Sequence, residues 1–225
     1  MLERRADRIA ALIVLGMVAV GLYGLVALPP EAKIAIHFDA SGRPDAWTES
    51  RWALFALPML ALVLWGLFAL LPRLEREREN LARSQPALDV IALATLALLA
   101  ALQVLTVATS LGTLQLPPNS YLVALGLLFV AMGNVMGKLR PNHSVGIRTR
   151  WTLAHDRVWD QTHRYGGKVF VVAGAALALL PALPFARGHE GVLILVITLA
   201  AGALPVVKSY RLWRELPPGS PPAEG

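Results

Sequence analysis

Six long apolar stretches divide the chain, at Ile9–Leu28, Ala53–Leu71, Ala87–Leu111, Ser120–Gly137, Val169–Phe185 and Val192–Val207. A hydrocarbon core about 30 Å thick is crossed by roughly 20 apolar residues in a helix, so each stretch predicts a membrane-spanning helix, the shorter ones only just. Their polar atoms come from residues such as Thr95, Gln103, Thr106, Thr109, Ser110, Asn134 and Thr198. The only ionisable Asp, Glu, His, Lys or Arg side chain within them is Asp89, near the start of the third stretch. Pumps and proton relays hold such groups at membrane depth because function requires them there, so an ion-coupled transporter is disfavoured.

The segments between the stretches set the topology. With the N-terminus in the cytoplasm, the inner segments carry Arg4, Arg5 and Arg8, then Arg73, Arg76, Arg78 and Arg83, then the basic residues of 138–168, and finally Lys208, Arg211 and Arg214. Of 21 Lys and Arg residues, only Lys33, Arg43, Arg51 and Arg187 then lie outside. Cytoplasmic loops carry the excess of basic residues in membrane proteins, which predicts an all-α bundle of six transmembrane helices with both termini cytoplasmic. The first stretch is longer than a signal-peptide core and lacks a clear small-x-small cleavage site, so it is read as a retained helix. The predicted organisation is a helix pair over 1–86 with an outer loop 29–52 and an inner connection 72–86. A four-helix region over 87–215 follows, with an inner loop 138–168, a short outer turn at Pro117-Pro118 and another at 186–191. The tail 216–225, rich in Pro, Gly and Ser, is expected to be disordered.

Composition agrees with this pattern. The 225 residues are 56% hydrophobic and 16% charged, with a mean hydropathy of +0.54. The net charge of +6 would invite a nucleic-acid partner in a soluble domain, but the basic residues follow the membrane topology, and no direct nucleic-acid contact is expected. The chain has no cysteine, which excludes disulfides, thiolate metal sites and cysteine nucleophiles.

Two segments concentrate the remaining chemistry. In the outer loop, Ile34, Ile36 and Phe38 alternate with other residues and precede the turn signal Ser41-Gly42-Arg43-Pro44, which predicts a short extended segment. His37 and Asp39 then point to one side, about 7 Å apart. As two metal ligands they would need a third, for which His189 and Glu190 are the candidates. Alternatively Phe38 and Trp47 anchor the loop in the interface while His37 and Asp39 bond its backbone. No metal and no cofactor are assigned. In the inner loop, Pro141-Asn142 and Gly146 mark turns, and Thr152 is a candidate N-cap for a short helix reaching about Arg164. Thr152, Asp156, Trp159 and His163 would share one face of that helix. Three readings are open. Arg148, Arg150, Arg157 and Arg164 with Asn142 and the threonine hydroxyls suit a phosphate. Tryptophan and arginine suit a protein interface. Or Trp151 and Trp159 lie in the headgroup region of an interfacial helix whose arginines meet anionic lipid.

These two segments also carry a family resemblance. The outer loop, with Pro29, Ile36-His37-Phe38, Gly42, Asp45 and Trp47, resembles the small domain of unknown function that opens many SdpI-family proteins. The inner loop resembles the SdpI signature in Gly133-Asn134, Lys138, Pro141-Asn142, Gly146-Ile147-Arg148-Thr149, Trp151-Thr152-Leu153, Trp159 and Thr162-His163-Arg164. The family is named after a bacterial integral membrane protein that gives immunity to a secreted, membrane-active peptide toxin and relays its presence to a cytoplasmic repressor. The resemblance implies a peptide toxin on the outer side, engaged through His37, Phe38, Asp39 and Trp47. It implies a repressor on the inner side, a role that a phospholipid fills in the alternative, engaged through Asn142, Arg148, Thr149, Trp151, Thr152, Trp159, His163 and Arg164. A homodimer is compatible with it. Immunity requires no catalysis. The alternative is a membrane enzyme or lipid-handling protein holding a phosphate-bearing ligand at 138–168, with His163 as acid or base oriented by Asp156 or Thr162. The chain offers no nucleophile motif for it, and no catalytic residue is assigned.

Overall fold

A computed structural model describes residues 4–113 and 119–217; the expected Pro117-Pro118 turn and most of the expected tail lie outside the described residues. Helix α1 (Arg5–Ala27) ends before Pro29-Pro30, where the missing N–H groups and the steric demand of proline on its predecessor oppose helix. An antiparallel hairpin follows, β1 (Ile34–Phe38) and β2 (Pro44–Thr48), with Ile34 opposite Thr48 and Phe38 opposite Pro44. A 3₁₀ turn over Arg51–Phe55 leads into α2 (Ala56–Leu74), and α3 (Arg78–Ser110) is the longest element at 33 residues. Helices α4 (Tyr121–Met136), α5 (Arg150–Ala154), α6 (Asp156–Leu179) and α7 (Glu190–Arg214) follow in the described residues. The result is an all-α membrane bundle.

Among the described residues, five helical segments are long and apolar enough to cross a membrane, at Arg5–Ala27, Arg51–Leu74, Arg78–Ser110, Asp156–Ala182 and Glu190–Arg214. The fourth predicted span, α4, has 16 residues, or about 24 Å at 1.5 Å per residue, less than the hydrocarbon thickness. The structure covers both of its ends, with the outer hairpin at Asn119–Tyr121 and the inner loop beyond Met136.

Helices α1, α2 and α3 pack together, α6 packs on both α4 and α7, and α3 meets α4 to join the two groups. The tightest contact is between α4 and α6. A Cβ added at Gly126 would stand 2.4 Å from the Gly174 carbonyl oxygen, and one at Gly133 would stand 2.6 Å from the Gly167 oxygen. The glycines pair in reverse order along two antiparallel helices, seven residues apart on each, so the backbones touch over two turns. Small residues let helices approach in this way where lipid removes the hydrophobic drive for association.

Several polar side chains within the spans bond main-chain carbonyls. The buried Gln103 amide of α3 donates to the Leu54 carbonyl at 2.8 Å, in the 3₁₀ turn before α2. Thr95, Ser110 and Thr198 return their hydroxyls to carbonyls four residues earlier.

The glycine contact makes a testable prediction. In an open helical position, as at Gly16, where nothing lies within 4 Å of an added Cβ, Gly→Ala stabilises by roughly 0.5–1 kcal/mol. Gly133→Ala drives the same methyl into a backbone carbonyl and is expected to destabilise by about 1–3 kcal/mol. Thermal unfolding in detergent distinguishes the two, and equal stabilisation by both substitutions would remove the contact from the account.

Candidate functional site

The inner loop folds into a cap over the ends of α3, α4 and α6. Leu139, Val145 and Ile147 enter an apolar cluster with Leu81, Leu88, Ile91, Met136 and Trp159. Asn142, 1% exposed, closes its first turn: its Oδ1 accepts from the N–H groups of Ser144 (2.9 Å) and Val145 (2.7 Å), and its amide donates to the Arg140 carbonyl at 2.8 Å. The fully buried Trp159 indole donates to the Leu139 carbonyl at 2.8 Å and stacks on the His163 ring, with centroids 4.0 Å apart. The Ile147 N–H donates to His163 Nε2 at 2.9 Å. That nitrogen is therefore the acceptor, and Nδ1 carries the proton that it shares with the Trp159 carbonyl, also at 2.9 Å. Gly146, at φ +128°, lies over this stack, and a Cβ there would stand 2.5 Å from Nε2.

Glu75 fixes the cap to the inner connection. Its side chain is fully buried, and its carboxylate accepts from the N–H groups of Arg76, Glu77 and His143 and from the Ser144 hydroxyl at 2.5 Å. Burial by itself raises this carboxyl, but the Ser144 hydroxyl and the three backbone N–H groups outweigh it and hold its pKa below the ordinary value. Ser84, also fully buried, accepts from the Arg140 N–H at 2.8 Å.

Several sequence expectations change here. The helix expected from Thr152 to Arg164 is two helices, broken where His155 adopts an extended conformation with φ −150° and ψ 123°. The N-cap is Thr149, not Thr152. Thr149 accepts from the Thr152 N–H while Thr152 accepts from the Thr149 N–H, a reciprocal capping box. Thr152 therefore does not continue the face of Asp156, Trp159 and His163. Residues 156–168 form the inner end of α6 rather than loop. Trp159 is in the core, so of the two tryptophans assigned to the headgroup region only Trp151 remains partly accessible. His163 is held by two backbone groups, not oriented by Asp156 or Thr162, and neither ring nitrogen is open to a ligand. Arg148 is exposed and donates to the His143 carbonyl, while the exposed Arg164 lays its stem across Gly137.

On the face expected to be the outer one, the hairpin roofs a groove. Ala35 N–H reaches Ser110 Oγ of α3 at 3.2 Å. At the far end the turn lands on the start of α4: Ser41 carbonyl accepts from the Asn119 N–H at 2.8 Å, and Ala40 carbonyl accepts from the Tyr121 hydroxyl at 3.0 Å. Gly42, at φ +78°, packs against the Tyr121 ring. Asn119 itself adopts φ +66° and donates through its amide to Glu190 at 3.2 Å, bringing the start of α7 to the same point. Beneath lies a cavity of about 520 Å³ walled by Leu102 and Leu105 of α3 and Ile194, Leu195 and Thr198 of α7, with Ile36, His37, Phe38 and Asp39 above. That size and an apolar lining with a few polar groups are characteristic of ligand sites.

His37 and Asp39 take different partners from those their spacing implied. His37 Nδ1 lies 2.6 Å from Asp45 across the hairpin. Asp39 Oδ1 accepts from the Ser41 hydroxyl and from the N–H groups of Ser41 and Arg43, and these bonds, the hydroxyl first, hold its pKa below the ordinary value. His189 Nδ1 lies 3.3 Å from the Arg187 carbonyl. Among the described residues no three His, Asp or Glu side chains cluster. Trp47 is 44% exposed on the second strand. Glu75, Asn119 and Tyr121 were not singled out by sequence. The one local signal was the position of Glu75, the first of three alternating acids, directly after an apolar helix.

A long-helix bundle with a hairpin on one face and a folded arginine-rich cap on the other defines a multi-pass membrane protein. Residues 138–209 match the SdpI/YfhL protein family, and residues 12–62 match a domain of unknown function, DUF1648. Over these two regions the chain is similar to the SdpI family. It is 28% identical over 193 residues to the immunity protein SdpI of Bacillus subtilis, an alignment covering 84% of this chain and 86% of that protein. No solved structure matches it.

A carboxyl with a folded pKa below its unfolded value binds fewer protons when folded, so its stabilisation is present above the ordinary carboxyl range and is lost as pH falls through the folded pKa. Glu75→Gln is expected to loosen the cap at neutral pH by about 1.5–3 kcal/mol. Wild type should approach the variant as pH drops below 4.5, the ordinary Glu value. Hydrogen exchange of 138–149 at pH 7 and at about pH 4 reads both effects, and a wild-type to variant difference that does not shrink in acid would contradict the assignment.

Proposed function

We propose that this protein gives immunity to a membrane-active peptide toxin, which it engages from the outer side at the groove beneath the hairpin. The observation that carries this reading is the groove itself. It is apolar, extends from Gly191 to Thr198 along α7, about 10 Å at 1.5 Å per residue, and lies between α3 and α7 under a polar roof. A peptide that partitions into the outer leaflet meets apolar walls at the depth it occupies and backbone polar groups at the rim. The identity with an immunity protein over most of both chains supports the same reading.

In this account six helices cross the membrane with both termini in the cytoplasm, α4 being the short one, supported by the asymmetric placement of arginine. A route for relay is built in. The hairpin tip rests on Asn119 and Tyr121, α4 is locked to α6 by its glycines, and α6 carries Trp159 and His163 into the inner cap. A ligand that lifts the hairpin thereby biases the cap, whose exposed Arg148 and Arg164 face a cytoplasmic regulator. The phosphate-ligand alternative has less support, because the buried donors and acceptors of Asn142, Thr152 and His163 are already engaged with the backbone.

Thr198→Trp and Leu195→Trp fill the groove from the wall opposite α3 and are expected to lower protection of a sensitive host by about tenfold or more, equivalent to ~1.4 kcal/mol of binding. His37→Ala is expected to weaken it by loosening the hairpin, whereas Arg148→Ala should reduce relay and leave protection intact. The measurement is survival of cells expressing each variant at equal membrane levels, challenged with the secreted peptide. Full protection by both tryptophan variants would exclude the groove.

A further inference from the structure

A second polar feature lies where the ends of α5 and α7 meet, on the arginine-rich face. The reciprocal cap at Thr149 fixes α5, and Thr149 Oγ1 lies 3.1 Å from the fully buried Ser209 Oγ of α7. This contact lays Trp151 against α7, with its ring centroid 5.0 Å from Tyr210 and 6.5 Å from Trp213. Tyr210 and Trp213 remain 39% and 40% exposed.

Two guanidinium groups complete the arrangement. Arg150 sits 5.2 Å over the Trp151 ring and Arg214 sits 5.9 Å over the Tyr210 ring. Both arginines are exposed, and among the described residues neither forms an ion pair with a carboxylate. A guanidinium stacked on an aromatic face is held in place while its in-plane N–H groups stay available for bidentate bonding to a phosphate. Lys208 and Arg211 lie on the same last turns of α7, with Glu215 as the acid that follows.

The setting selects the kind of phosphate. The cluster is at the end of a helix whose preceding window is apolar enough to span the membrane. Tryptophan and tyrosine concentrate at the level of lipid headgroups, and basic pockets between helices on the cytoplasmic side take anionic headgroups. The geometry points to a binding site for an anionic glycerophospholipid headgroup, clamped by Arg150 and Arg214 over the Trp151–Tyr210–Trp213 cluster. The site is separate from the outer groove and does not rest on the immunity reading. It also differs from the phosphate site expected from the sequence: Asn142 and His163 belong to the core, and the arginines concerned are Arg150 and Arg214.

The experiment uses the full chain in detergent, titrated with phosphatidylglycerol and separately with phosphatidylcholine, and counts bound lipids by native mass spectrometry. Wild type is expected to retain phosphatidylglycerol preferentially. Arg150→Gln and Arg214→Gln should each weaken that retention about 5-fold, from roughly 1 kcal/mol per basic residue near the surface. Trp151→Leu should weaken it by removing the stacking face. Arg43→Gln, which removes a charge from the opposite face, should leave it unchanged. Both glutamine changes are at exposed positions, and unaltered thermal unfolding would show that the bundle is intact. Equal retention of the two lipids by wild type, or retention unaffected by Arg150→Gln and Arg214→Gln, would overturn the site. Loss of a co-purifying protein in these variants, with lipid retention unchanged, would equally overturn it in favour of a protein-docking surface.

Discussion

The close approach of α4 and α6 is the constraint on which the rest of the structure depends. Two glycine pairs, Gly126 with Gly174 and Gly133 with Gly167, bring the helix backbones into contact where any side chain would hold them apart. In lipid, where apolar side chains gain little from meeting one another, this close van der Waals packing is what fixes one helix against its neighbour. A helix too short to span comfortably is thereby held along its length by a longer one. At its outer end Asn119 and Tyr121 receive the hairpin, and at its inner end the chain enters the cap that Trp159 and His163 of α6 close. The two faces of the molecule are joined through this pair of helices and through α3, which meets the hairpin at Ser110 and the cap at Ser84.

The inner cap shows how a polar signature becomes structure. Thirteen residues without regular secondary structure separate α4 from α5, and their backbone groups need partners at the edge of a low-dielectric region. Asn142, Thr152, Trp159, His163 and Glu75 supply many of these. Each is a buried side chain bonded chiefly to main-chain atoms, with the Ser144 hydroxyl on Glu75 and the Thr149 hydroxyl on Thr152 as side-chain partners beside them. Residue types that serve phosphate binding or acid–base chemistry elsewhere here hold a loop in one shape. What remains available for partners is at the surface, in the guanidinium edges of Arg148, Arg150, Arg164 and Arg214 and the aromatic cluster beside them.

The matched regions correspond to physical units. Residues 138–209 begin at the cap and close at Ser209, whose hydroxyl meets the Thr149 cap of α5. Residues 12–62 contain the hairpin, most of α1 and the start of α2. The apolar cluster of Leu28, Ile34, Leu54 and Val107 then sets this second unit against α3, so the hairpin is positioned by the longest helix in the chain.

The apolar stretches, the extended segment at Ile34–Phe38 and the turn at Ser41–Pro44 were legible in the sequence because each depends on local hydropathy or backbone preference. The resemblance to the SdpI signature was legible as an order of unusual residues spread over 133–164. The roles within it were not. Spacing aligned Thr152 with Trp159 and His163, but the break at His155 separates them, and nothing in a helical repeat foretells one extended residue. His37 and Asp39 share a strand, yet they pair with Asp45 and with the turn because those acceptors and donors arrive only when the chain folds back. Most of the deciding partners are backbone carbonyls and N–H groups, present at nearly every position and so carrying no sequence signal. The sequence by itself determined how many apolar segments the chain has and where charge concentrates between them. The tertiary structure decided which polar side chains are buried against backbone and which are left on the surface, because that choice depends on distances between segments far apart in the chain.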